Sequence, residues 1–225
     1  MKFKNLLIAV SPLLPALSWA QQSSNNSATN GLTYDYVSVG YANILLNSTF
    51  EKQTLIGTLT GSLSGTMQGT SLEGSKLITE NFYLFGNYFS TSTDSAELKL
   101  FSSTFNLSSS TLNANLNYKQ YQISAGYRRA LKPGTDVIAS MSVVNASSRI
   151  NSVDITESNV YPVSVGLKTK LMDSIEASAS GIIVSGDLAS VVNLQYKINN
   201  QYAIGGYFRH DPNSTIYALN ARYLF

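Results

Sequence analysis

The last eleven residues decide the fold of this chain, and they read Thr215-Ile216-Tyr217-Ala218-Leu219-Asn220-Ala221-Arg222-Tyr223-Leu224-Phe225. Successive side chains on a β-strand point to opposite faces of the sheet. One face of this stretch is entirely apolar or aromatic, whereas the other includes an amide and a charge. The first face carries Tyr217, Leu219, Ala221, Tyr223 and Phe225, and the second carries Ile216, Ala218, Asn220, Arg222 and Leu224. This alternation predicts a strand with lipid outside and a polar lumen inside, as in a transmembrane β-barrel.

The end of this strand carries a family resemblance. A closing strand of alternating apolar residues that ends in Tyr223-Leu224-Phe225 resembles the C-terminal signal of bacterial outer-membrane β-barrels. The resemblance implies that Tyr223 and Phe225 form an assembly signal, which is read by the barrel-assembly machinery.

The beginning of the chain is typical of an exported protein. Lys2 and Lys4 precede an apolar run over 6–17, and Ser18-Trp19-Ala20 offers small residues for cleavage after Ala20. The run is short for a membrane-spanning helix, which needs about 20 residues. We therefore predict a signal peptide at 1–20, a disordered periplasmic lead-in at 21–31 and an outer-membrane barrel at 32–225.

Composition excludes several functional classes. Removing the signal peptide lowers Lys plus Arg from 15 to 13 against 13 Asp plus Glu, so the mature chain is formally neutral and predicts no nucleic-acid partner. The chain has no Cys and a single His, which disfavours disulfides and a metal site. No cofactor is expected.

The alternating segments predict an all-β fold, a transmembrane antiparallel β-barrel of about ten strands. Eight strands would leave very large loops, and twelve would need a further division of 55–77 or 91–112. The predicted strands are 32–44, 55–78, 81–91, 112–131, 135–146, 159–171, 174–184, 189–198, 201–210 and 214–225. Short turns join them on one side. Longer polar segments are predicted on the other side, at 44–54, 91–111, 146–158, 185–189 and 210–214.

One strand shows an irregular pattern. Leu63 and Met67 share a face with glycines, but from Ser71 onward the polar residues occupy the positions that were apolar before. Such a change predicts a β-bulge, which we place between Met67 and Leu72. Strand three is aromatic on both faces, so its orientation stays unassigned.

The inner faces collect charged residues. The predicted lumen charge cluster comprises Glu73, Arg128, Lys168, Lys170, Glu176, Arg209 and Arg222. Glu73 and Glu176 are expected to provide most of the pairing, because charges in a narrow lumen must pair or hold water. The cluster fits either a salt-bridged plug that stabilises the barrel or a small, slightly cation-lined pore.

Several recurring phrases, among them Gly126-Tyr127-Arg128 and Gly205-Gly206-Tyr207-Phe208, resemble small barrels of the OmpA/OmpX-like outer-membrane class. These phrases set the architecture and carry no known chemistry. We expect a non-enzymatic barrel, structural or weakly pore-forming for small solutes. We further expect outer-membrane lipid and lipopolysaccharide as partners, and a monomeric state. One alternative is an adhesin or receptor that acts through Ser/Thr/Asn-rich outer loops such as 102–110.

A second alternative is a rim hydrolase of the omptin type, which uses an Asp–His pair. The chain's single His, His210, is followed directly by Asp211. Adjacent side chains on a strand point apart, and the pair therefore favours an ordinary polar loop over a catalytic site.

Overall fold

The computed structural model describes residues 30–54, 57–102, 107–151 and 153–225. The predicted signal peptide, its cleavage site and most of the predicted lead-in lie outside these residues. Eleven strands are present in the described chain: β1 Tyr36–Thr54, β2 Gly57–Leu77, β3 Phe82–Ser102, β4 Leu107–Lys132, β5 Thr135–Ile150, β6 Val153–Val160, β7 Val163–Met172, β8 Ile175–Val184, β9 Asp187–Lys197, β10 Tyr202–Asp211 and β11 Ser214–Leu224.

These strands form a closed antiparallel barrel with ten positions. Apart from β6 and β7, each strand pairs with its neighbour in sequence, and β1 pairs with β11 to close the sheet. β6 and β7 share one position, because β5 pairs with both in one unbroken register that runs from Met141↔Val163 to Val144↔Val160. The break between them falls at Tyr161-Pro162, where proline has no N–H to donate to the ladder. The prediction of a ten-stranded transmembrane-type barrel is therefore confirmed, and the alternatives of eight and twelve are not.

The two ends of the barrel differ. The start of β1 and the end of β11 lie beside the short turns at 78–81, 133–134, 173–174 and 198–201, and we call this the periplasmic end, following the usual arrangement of outer-membrane barrels. At the opposite, outer end the β1–β2 ladder continues to Thr54↔Gly57, whereas the β1–β11 ladder stops at Leu46↔Ser214. The outer side is therefore tall along β1–β6 and low along β7–β11.

This shape corrects the predicted loops. The segments expected as loops at 44–54, 91–111 and 146–158 largely continue as paired strands. The segments at 185–189 and 210–214 shrink to two-residue turns. In the first of these turns Ser185 and Gly186 have φ values of 52° and 98°, the left-handed conformations that a tight hairpin requires.

The predicted bulge in β2 is wrong. Odd-numbered residues of β2 face inward both above and below Met67, so its parity never changes. The register shift lies in β3, where the stretch between Thr93 and Ala96 holds one residue more than the facing strands. Inward residues of β3 are odd-numbered up to Thr93 and even-numbered at Ala96, as a one-residue bulge requires. β3 is thereby oriented: Tyr83, Phe85 and Phe89 face in.

The exterior is an apolar belt with aromatic rings at two levels. On β10 and β11 the pairs Tyr202–Tyr223 and Phe208–Tyr217 have ring centroids 5.6 and 5.3 Å apart, six residues from each other along the strand. β3 and β4 repeat this spacing with Phe82–Tyr127 and Tyr88–Tyr121. Six residues of strand correspond to about 20 Å. Aromatic girdles that flank an apolar band are the exterior of a barrel held in lipid, and this barrel is of the outer-membrane class.

Among the residues that the structure describes, no helix has the length and apolar character needed to cross a membrane.

Candidate functional site

The predicted lumen charges are placed almost entirely inside the barrel. Six of the seven, all except Lys170, face inward and are at most 2% exposed. They come from strands on opposite walls, β2 and β4 on one side and β7, β8, β10 and β11 on the other. Lys170 lies apart from them, half-buried at the periplasmic rim, where its Nζ atom is 2.7 Å from Asp173 Oδ1. This hydrogen bond and the charge of Lys170 lower the pKa of the Asp173 carboxyl, which lies in the turn outside the barrel wall.

Glu176 is the most heavily used acid. Its Oε2 atom lies 3.1 Å from Lys168 Nζ, and its Oε1 atom lies 2.5 Å from Lys197 Nζ. Lys168 is fully buried, whereas the Lys197 side chain keeps 18% of its surface exposed at the periplasmic end. Glu176 therefore pairs with one buried cation, Lys168, and with one partly exposed cation, Lys197.

Two acids that the sequence reasoning missed complete the pairing. Asp136 Oδ2 lies 2.7 Å from Arg128 Nε, and Asp211 Oδ2 lies 3.2 Å from Arg209 Nη2. Both acids are at most 2% exposed. Asp136 and Asp211 therefore share the pairing of the lumen bases with Glu176. Each missed acid adjoins a Pro-containing turn and resembles a turn residue, but its parity with the inward residues of the same strand marks it as inner.

The chain before β1 also lies in the lumen, which corrects the predicted start of strand one at Leu32. Residues Leu32 to Asp35 are at most 4% exposed and precede the continuous ladder of β1, which starts at Tyr36. Thr33 donates to Glu176 through its backbone N, at 3.1 Å, and through its hydroxyl, at 2.7 Å. Lys168 Nζ donates to the Thr33 carbonyl oxygen.

Tyr34 is the centre of this contact. Its hydroxyl donates to Asp136 Oδ2 at 2.6 Å. Arg128 Cζ and Lys168 Nζ lie 4.8 and 4.6 Å from the centroid of its ring, within the range of cation–π attraction. The ring also tilts against Tyr83 at a centroid distance of 5.8 Å. One tyrosine thus contacts both main ion pairs of the periplasmic half.

A second polar layer lies beside the first. Arg222 Nη1 donates to Gln195 Oε1 at 2.5 Å, and its guanidinium lies 4.7 Å from the ring centroid of Tyr36. The Tyr36 hydroxyl in turn donates to Glu73 Oε2 at 3.4 Å. The Tyr36 hydroxyl therefore links Glu73 to this layer.

The outer half of the lumen is mainly apolar and encloses the Arg209–Asp211 ion pair at the outer end of β10. Inward side chains there pack into clusters that join most of the walls and are at most 4% exposed, among them Ile44, Leu46, Leu63, Met67, Leu116, Tyr118, Val184 and Val191. Side chains that line a water-filled channel would show solvent exposure. Within the described residues the lumen is therefore filled at two levels, by most of the charges near the periplasmic end and by apolar packing around the Arg209–Asp211 pair above them.

The sequence motifs that suggested hydrolysis do not converge. His210 is exposed on the outward face, where its Nδ1 atom lies 3.0 Å from Thr215 Oγ1. Asp211 faces inward and binds Arg209. The two side chains lie on opposite faces of β10, as adjacency on a strand predicts. No group of three or more potential metal ligands occurs among the residues described.

The predicted assembly signal lies on the outside at the periplasmic end. Tyr223 and Phe225 are outward-facing, with ring centroids 6.3 Å apart. Lys76 Nζ lies 4.9 Å from the centroid of the Phe225 ring, and the Phe225 backbone N donates to the Asp35 carbonyl at 3.4 Å. The last residue of the chain thus touches the segment that enters the lumen.

Comparison with known proteins returned architectural likeness only. No protein-family description matches the sequence, and no curated protein matches it. The structure resembles the β domain of the Bordetella autotransporter BrkA, with 10% identity, coverage of 85% of this chain and 99% of that chain, and a TM-score of 0.49. It also resembles the outer-membrane protein OprG from Pseudomonas aeruginosa, with 7% identity, coverage of 85% and 97%, and a TM-score of 0.49. The assignment to the outer-membrane class rests on this chain's own registers and exterior.

Proposed function

We propose that this protein is a non-enzymatic, non-conducting outer-membrane barrel that holds a tall β-sheet above the membrane for contact with extracellular partners. The proposal rests on one observation: the lumen is filled, and the outer end of the barrel is tall along β1–β6 and low along β7–β11. A barrel built to pass solutes would need inner width, whereas this lumen is occupied by its own side chains. Of the two interpretations of the inner charges, the filled lumen supports the plug.

The outer sheet supports a role in recognition. Residues 48–54 of β1 rise above the end of β11 and pair with β2, and β3–β6 continue the same wall. The outer parts of these strands are rich in Ser, Thr and Asn, which offer hydrogen bonds without strong charge. Exposed segments that a rigid scaffold positions are where binding functions concentrate.

Localisation completes the proposal. We expect the chain to be exported and cleaved after Ala20, and then to be delivered by the barrel-assembly machinery. It should reside as a monomer among outer-membrane lipid and lipopolysaccharide. The rim-hydrolase alternative receives no support from the separated His210 and Asp211. A His210→Ala variant should accordingly behave like wild type in every assay below.

The test compares conductance and surface binding. In planar bilayers the purified barrel should give no steady channel current at a protein density at which a general porin conducts. A shortened variant replaces residues 48–63 with an Asn-Gly turn, which joins the paired residues Asn47 and Ser64 and lowers the wall. Cells that display wild type should bind host-cell or matrix surfaces, and cells that display the shortened variant at equal density should bind less.

Two results would overturn the proposal. A steady wild-type current would contradict the filled lumen. Equal surface binding by wild type, the shortened variant and cells without the protein would remove the recognition role.

A further inference from the structure

Residues 30–35, which we call the strap, cross the periplasmic opening of the barrel from one wall to another. Asn30 Nδ2 donates to the Lys132 carbonyl at 2.6 Å, beside the β4–β5 turn. At the other end Asp35 accepts from the Leu77 backbone N at 2.6 Å and lies 3.0 Å from Lys76 Nζ, at the end of β2. Between these anchors the strap passes through the charged half of the lumen.

The barrel wall binds the strap as it would bind a ligand, because the strap's residues contact different sets of wall side chains. Glu176 accepts hydrogen bonds from the backbone N–H and from the hydroxyl of Thr33, and Lys168 Nζ donates to the Thr33 carbonyl oxygen. Asp136 accepts from the phenol of Tyr34, whose ring lies beside two cations. Thr33 and Tyr34 therefore each meet their own complementary site on the inner wall, and Asp35 is held at the periplasmic rim.

The strap lies outside the ladder that holds the barrel together. The β1 registers with β2 and β11 both begin at Tyr36, one residue after the strap ends. Removing the strap would leave the registers of β1 with β2 and β11 in place. It would remove the single-residue bridge at Tyr34 and the hydrogen bond from the Phe225 backbone N to the Asp35 carbonyl. The strap's contacts are thus separable from the fold, as those of a peptide in a preformed site are.

Charge on the wall favours an acidic occupant. Inside the lumen the strap lies beside Arg128 and Lys168, and Lys197 shares Glu176 with it. These three bases of the inner wall pair with two acids, Asp136 and Glu176. The carboxylate of Asp35 pairs with Lys76 at the periplasmic rim, where the Lys76 side chain is exposed outside the lumen.

We propose that the periplasmic half of the lumen is a peptide-binding site, which the chain's own strap fills. Its ligand class is an extended peptide that presents a hydroxyl residue, a phenol and a carboxylate in succession. The apolar packing above closes the site toward the outer surface, so a peptide enters only from the periplasmic side. This site is separate from the recognition role of the outer sheet, and either can fail alone.

The experiment removes the strap and supplies it again as a separate molecule. A mature chain that lacks residues 21–35 is refolded in detergent beside the full mature chain. The probe is a fluorescein-labelled, C-terminally amidated peptide with the sequence of residues 30–35, and binding is followed by fluorescence anisotropy. The truncated barrel should bind the probe saturably, and the full chain should not, because its own strap occupies the site.

Matched peptides test the recognition rules. A Tyr34→Phe peptide keeps the ring but loses the hydroxyl that donates to Asp136, and it should bind about tenfold more weakly or worse. An Asp35→Asn peptide should bind more weakly as well, by a margin that shrinks with added salt, because Lys76 is exposed. A scrambled peptide of the same composition should not bind.

A truncated barrel that folds but does not bind the probe, or binds the scrambled peptide equally, would overturn the proposal. If the truncated chain fails to refold, the full chain with Thr33→Ala and Tyr34→Ala replaces it. That variant must take up the probe that wild type excludes, and its failure to do so would equally overturn the proposal. A wild-type dimer in which the strap of each chain fills the site of the other chain would refute the claim that the chain's own strap fills its site.

Discussion

Glu176→Gln is the substitution with the clearest expected cost. It keeps the shape of the side chain and an acceptor for Thr33, but it removes the carboxylate charge that lies 3.1 Å from Lys168 and 2.5 Å from Lys197. Breaking a buried ion pair by removing one partner costs about 3–5 kcal/mol. Lys197 is partly exposed and can be hydrated from the periplasmic opening. The main cost therefore comes from the charge of Lys168, which stays buried after its acidic partner is removed. We therefore expect a loss of about 3 kcal/mol, at the lower end of that range.

Equilibrium unfolding in urea with lipid vesicles measures this loss. With a slope of about 1–3 kcal/mol per molar urea, the midpoint should fall by about 1–3 M. Adding Lys168→Met to Glu176→Gln removes the stranded charge and should restore much of the stability, as replacing a whole buried pair by apolar groups often does. Asp173→Asn is the matched control, because its carboxylate also contacts a lysine but is fully exposed. A Glu176→Gln midpoint equal to that of the control would refute the claim that the lumen is dry at this level.

Three further outcomes are expected. Gly126→Ala would place a Cβ atom 1.8 Å from Tyr83 Cζ, so the Tyr83 ring must move, and we expect a loss of about 1–3 kcal/mol in the same urea assay, reduced when Tyr83 is Leu. Ala179→Arg puts a charge on the lipid face at a cost of about 2–4 kcal/mol, whereas Ala179→Leu should be neutral; equal effects would mean that Ala179 does not face lipid. Deleting Phe225 should leave protease-sensitive protein in the periplasm, and Phe225→Tyr should assemble as heat-modifiable barrel; normal assembly of the deletion would contradict the role of this residue.

The exterior of the barrel could be predicted because lipid imposes a strict period of two. Tyr121, Ile123, Tyr127 and their neighbours on β4 face outward as the alternation predicts, and the same holds for β7, β8, β9 and β11. Here the inner face is polar and the outer face is apolar, so one charged residue such as Arg128 fixes the orientation of a whole strand.

The strap could not be predicted in this way, whereas the period of two does place Asp136 and Asp211 inside, and their position beside turns hid them. Residues 32–35 precede the ladder, and no periodicity describes a segment that crosses a lumen. Their partners become visible only when strands far apart in sequence meet, since Thr33 binds Glu176 and Tyr34 binds Asp136. Long-range pairing of this kind leaves no local pattern in the sequence.

The false bulge in β2 has a physical cause that locates the membrane edge. Below it, Leu72 faces outward while Glu73 is buried; above it, Gln68 faces outward while Met67 is buried. The parity of the strand is constant, and what inverts is the environment, because the outside changes from lipid to water and the inside changes from charge network to apolar core. A sequence pattern records polarity rather than direction, and such an inversion therefore resembles a change of parity. The outer limit of the lipid belt on β2 accordingly lies between Met67 and Leu72, and the wall above it is folded like a water-soluble sheet around its own core.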